Sequence, residues 1–67
     1  MINFYVAKMR GGEALAITAV AAGNDILAAL VAFERPVRPT RKPSSPDVEW
    51  LLINHIASGR TSEFLFA

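Results

Sequence analysis

His55 is the only histidine in this sequence of 67 residues, and imidazole is the side-chain type best suited to acid–base work at neutral pH. It lies four positions after Leu51 and seven after Val48. That spacing predicts one face of a helix, where the simple expectation is a half-buried ring bonded to a backbone carbonyl rather than a catalytic base. The acidic residues Glu13, Asp25, Glu34, Asp47, Glu49 and Glu63 each have a local task at a turn, a helix end or a strand edge. Asp47 and Glu49 are two apart, and a helix would point them about 200° from one another, too far to share a proton. Ser44, Ser45, Ser58, Ser62 and the three threonines stand in no nucleophile motif. With no cysteine and one histidine there is no metal-ligand spacing. Gly11-Gly12 lacks the further glycine and the lysine of a phosphate-cradling loop and reads as a tight turn. No catalytic residue, metal site or cofactor is expected, and the chain does not read as an enzyme.

The basic residues are distributed less evenly. Arg35, Arg38, Arg41 and Lys42 are four of the seven, so the rest of the chain holds three basic against six acidic groups. Pro36, Pro39, Pro43 and Pro46 stand in the same stretch, which predicts a linker over 35–45 on an extended polyproline II path. On that path the three arginines would line one edge about 9 Å apart. Such a strip suits phosphates, an acidic protein surface or a Pro-x-x-Pro-x-Arg contact with an SH3-type domain. No aromatic interleaves it, which disfavours a stacking platform for single strands.

Apolar residues make up 52% of the chain, and Ile, Leu, Val, Phe, Met, Trp and Tyr supply twenty-four of them. A domain of about 60 residues buries only ~60% of the surface its unfolded chain exposes. Disulfides are excluded and a structural metal is not expected, so self-association or docking on a partner is the remaining staple.

The elements follow from periodicity. Ile2, Phe4 and Val6 alternate with Asn3, Tyr5 and Ala7, predicting a strand over 2–9. After the Gly-Gly turn, residues 13–22 read as its hairpin partner, although their alanines favour helix. Asn24 or Asp25 caps a helix over 25–34, whose residues 26–33 are all apolar; Arg35-Pro36 ends it. Ser45-Pro46-Asp47 predicts a second helix over 46–58, with Ser45 as N-cap and Gly59 closing it. Residues 62–66 read as a short strand added to the hairpin edge. The expectation is one small α+β domain over 1–67, order ββααβ, with two helices packed on one face of a small antiparallel sheet. A helix apolar on all sides must be covered on all sides. Trp50 and Ile53 are then either core or interface anchors, because Trp and Arg dominate binding hot spots.

Residues 14–33 are nearly all apolar over about the ~20 residues that span a bilayer, and are followed by basic residues. An Asp near mid-membrane costs ~2.5–3.5 kcal/mol, however, and Asn24-Asp25 lies within that run. A membrane role is therefore not expected. Lack of a secretory signal and of cysteine points to the cytoplasm.

In its size and its strand–strand–helix opening over residues 2–34, the chain resembles the small accessory proteins of bacteriophages, including the anti-CRISPR inhibitors. The resemblance implies stoichiometric inhibition of a host complex by surface occlusion, sometimes as a dimer, in the host cytoplasm. It carries over no functional residue. The expected function is a non-catalytic protein-binding module, a self-associating inhibitor or adaptor that occludes a larger partner complex, with Arg35, Arg38, Arg41, Lys42, Trp50 and Ile53 as its partner-binding residues. The alternative is a nucleic-acid or anionic-ligand binder using the basic strip.

Overall fold

Alternating side chains at the start of the chain build a strand, and two glycines turn it back on itself. In a computed structural model, which describes residues 1–39 and 47–67, β1 (Ile2–Arg10) pairs antiparallel with β2 (Glu13–Ala22). Gly11 takes φ 59° in the connecting turn, a left-handed value that glycine adopts without Cβ strain. Between Lys8 and Met9 the register shifts, because β2 carries one residue more than β1 there. Helix α1 (Asp25–Phe33) follows. Asn24 is its N-cap: the side-chain oxygen accepts from the Leu27 N–H at 2.9 Å.

The second half departs from expectation. Among the described residues there are five strands and one helix, in the order ββαβββ, so the chain is sheet-rich and the two-helix ββααβ arrangement is overturned. Where the second helix was expected over 46–58, β4 (Glu49–His55) runs through the middle of the sheet. The physical reason lies in its neighbours. A strand with partners on both sides and apolar groups on both faces shows a continuous apolar run, which periodicity alone does not separate from a buried helix. Ser45 and Pro46, read as its cap and first turn, lie outside the described residues, and Gly59 (φ 74°) instead turns β4 into β5.

β5 (Thr61–Phe66) pairs with β4, not with the hairpin edge. Its other side takes β3 (Val37–Pro39), three residues drawn from the stretch expected to be a linker. The Ala67 N–H donates to the Pro36 carbonyl at 2.9 Å and extends that pairing. The sheet order is β2-β1-β4-β5-β3, every neighbour antiparallel.

α1 covers one face. Beneath it lie Phe4, Val6, Leu51, Ile53 and Phe64, closed by Ala28 and Ala29 of the helix. The alanines let the helix backbone approach the sheet. On the other face Ala7, Met9 and Trp50 form a smaller cluster with Leu52 and Leu65. Glu34 ends α1 at φ 55°, and its N–H donates to the Leu30 carbonyl at 2.7 Å.

Two stability tests follow. A left-handed residue with a Cβ costs roughly 1–2 kcal/mol, part of which glycine returns through its freer unfolded chain. Glu34→Gly is therefore expected to stabilise the fold by about 0.5–1 kcal/mol, read as a rise of several degrees in Tm. Leu51, wholly enclosed, should cost about 2–5 kcal/mol as Leu51→Ala, read by chemical denaturation.

Candidate functional site

The polar side chains gather mainly where the chain turns. At the β4–β5 connection the His55 carbonyl accepts from the Gly59 N–H at 2.8 Å, and the His55 N–H donates to the Arg60 carbonyl at 2.8 Å. His55 Nδ1 accepts from the Ser58 N–H at 3.3 Å and lies 2.9 Å from Ser58 Oγ. Ser58 Oγ in turn accepts from the Arg60 N–H at 3.2 Å. The histidine is half-buried, but its partner is a serine of its own turn rather than a backbone carbonyl. Its ring meets Phe4 edge-on at 5.4 Å.

This turn and the N-terminus of α1 border a cavity of about 340 Å³, with Asn24, Asp25, His55, Ser58, Arg60 and Ser62 on its wall. Asn24 caps the helix, and Asp25 Oδ1 accepts from the Ile26 N–H at 2.9 Å. The side chains that could do chemistry here thus close the local backbone. Asp47 and Glu49 are not helical neighbours: Glu49 opens β4 and pairs with Arg10 at 2.8 Å, opposite it in register.

The basic strip is divided between the faces of the sheet. The Arg35 guanidinium lies over the Phe66 ring, 3.9 Å from its centroid, and Phe66 meets Phe33 edge-on at 6.3 Å. Lys8 stands over Phe33 at 5.8 Å. Arg38 is opposite Leu65 in β3, on the face away from the helix. Arg35 and Arg38 therefore do not line one edge, because β3 pairing replaces the polyproline path there. Arg41 and Lys42 lie outside the described residues.

Trp50 and Ile53, expected on one helix face as either core or interface anchors, are 3% and 1% exposed and point to opposite faces of β4. Trp50 Nε1 donates to the Gly11 carbonyl at 3.1 Å, fastening the first hairpin turn to the central strand. Ile53 belongs to the core under α1. Both are interior groups rather than surface anchors.

The uncovered apolar surface lies in two places: the outer side of α1, as its all-apolar run predicts, and a row on the sheet to which the sequence did not point. On α1, the outward stripe is Ile26, Leu27, Leu30 and Val31, with Val31 59% exposed. On the sheet, Ile17, Ala7 and Leu52 stand side by side on β2, β1 and β4. Ala7 is short, so Tyr5, Ile17, Leu52 and Asn54 rise around it and enclose a dent of about 310 Å³. Ile17 is 65% exposed on its rim. Alternation marks strands at Ala7 and Ile17, but β4 shows none, so no sequence signal joins the row across all three strands. No described helix is long and apolar enough to cross a membrane, and no group of three metal-ligating side chains occurs among the described residues.

No protein family, curated protein or solved structure matches the chain.

The turn supplies one test. Ser58→Ala removes both the hydroxyl contact to His55 and the acceptor of the Arg60 N–H, and should lower stability by about 0.5–1.5 kcal/mol in denaturant melts. A loss near zero would mean that the Ser58–His55 contact does not hold the turn.

Proposed function

We propose that the protein is a non-catalytic binding module that self-associates and occludes a surface of a larger protein partner. The observation that carries this reading is the dent at Ala7. It is apolar, open to solvent, walled by one aromatic and two aliphatic side chains, and edged by a single amide, Asn54. Binding hot spots have this form: a concave apolar socket that receives one large side chain, with a polar group at the rim to orient it. The small size and the strand–strand–helix opening, which resemble phage inhibitors, fit occlusion rather than turnover. The absence of cysteine fits a site of action in the cytoplasm.

Filling the socket tests the reading. Ala7→Leu projects its extra carbons into the dent, away from the helix-covered core, so the fold should be retained with little change in Tm. A protein that co-purifies with the wild type from its native cell should bind this variant at least tenfold more weakly, about 1.4 kcal/mol. Leu52→Lys, at the same socket, should do the same. Equal retention of every co-purifying protein by wild type and both variants would overturn the socket as the docking surface.

A further inference from the structure

The two edges of the sheet are built differently. β3 is three residues long, ends in proline and presents Arg38. Short length, proline and a charge are the devices that keep an edge strand from pairing with another chain. β2, at the other edge, is ten residues long. Between positions 14 and 22 it holds no charged residue and no proline. Every second residue of an edge strand points its N–H and C=O away from the sheet. The bulge that disturbs β2 lies toward the hairpin turn, so pairing with β1 is regular from Ala16 to Ala22. That leaves a straight run of roughly 23 Å at ~3.3 Å per residue.

We infer that β2 pairs antiparallel with β2 of a second copy, joining two five-stranded sheets into one of ten strands. Three observations favour a copy of this chain over another partner. An antiparallel edge is its own complement about a twofold axis, so each copy offers what the other needs. The only charge on the edge is Glu13, at its far end, so two copies meet without like charges at the centre. The same axis, perpendicular to the sheet, puts both α1 helices on one face. α1 leaves the Ala22 end of β2 and crosses over Phe4, Val6, Leu51, Ile53 and Phe64, so Ile26 and Leu27, in its first turn, are the outward residues nearest the partner. A stable interface takes about 800 Å² from each partner, near a fifth of the 4234 Å² this chain exposes. A strand edge alone is narrow, and the first turn of α1 adds the exposed Ile26 and Leu27 to it.

The inference specifies the self-association in the reading above and rests on it there, but it uses a different surface from the Ala7 socket. Because the chain has no cysteine, single-cysteine variants report contact cleanly. Light scattering of the full chain should give twice the 7.3 kDa monomer mass. Ala19→Cys, near the middle of the regular run, should form an interchain disulfide under mild oxidation, while Ala57→Cys in the β4–β5 turn should not. Ala19→Lys places two ammonium groups beside the axis and should return the protein to monomer with its circular dichroism unchanged. Ala7→Leu should remain dimeric, so loss of the socket and loss of the edge are told apart. A monomer at millimolar concentration would overturn the inference. So would a dimer that cross-links through Leu52→Cys but not Ala19→Cys, which would place the contact on the open sheet face.

Discussion

The pairing of β1 with β4 brings together the two ends of the sequence, and the sheet exists only through it: it joins the hairpin to the β4–β5–β3 half. Closing so long a loop costs entropy that no local turn repays. What offsets it is that β4 is apolar on both sides. Leu51 and Ile53 fill the core under α1, and Trp50 and Leu52 build the opposite face. That double use raises a question of register. Slipping one residue exchanges the two faces of a strand, and here both sets are apolar, so hydrophobic pattern alone does not choose between them. Directional contacts do. Arg10 meets Glu49, and the Trp50 indole reaches the Gly11 carbonyl, both at the hairpin end of the pairing. An exposed ion pair contributes only about 0–1 kcal/mol, yet it and the indole bond discriminate between alignments that burial leaves nearly equal.

The same economy explains where the polar chemistry went. Asn24 and Asp25 close the start of α1, His55 and Ser58 close the β4–β5 turn, and Arg35 and Lys8 lie over aromatic rings at the far end of the helix. In a chain this short each turn draws on side chains that a larger domain would leave free. Apolar groups, by contrast, exceed the available interior. The helix buries two alanines and turns four larger aliphatics outward. The distribution is thus inverted from that of an enclosed catalytic pocket: polar groups are satisfied locally, and apolar ones await cover.

Elements with local signals were legible in the sequence. The Gly11-Gly12 turn identifies the hairpin, and Asn24 before an apolar run, with Arg35-Pro36 after it, frames α1. β4 was not legible, because Val48, Trp50, Leu51, Leu52 and Ile53 carry no alternation: a central strand needs none. β3 was hidden by Pro36 before it and Pro39 within it, which exclude a central strand but permit an edge. Of the candidate site, the uncovered outer side of α1 was readable from its all-apolar run, but the row at Ala7 was not. Trp50 and Ile53 look like one stripe on a helix and fall on opposite faces of a strand. The Ala7 dent exists only across three strands, two of them brought together by the β1–β4 pairing.

The alanines of β2 connect these points. Alanine has low strand propensity because it gives little packing to a pleated surface, so β2 gains little from its own side chains. Most of β2 is exposed, and among the described residues β1 is its only strand neighbour. Hydrogen bonds to one side and sparse packing place such a strand at the low end of local stability within a sheet. Guarding its edge with lysine or proline would have been the simple protection, and the sequence uses neither. A second neighbour would satisfy the outward backbone groups and come beside the first turn of α1. The small side chains that weaken β2 alone also leave room for another chain to come close.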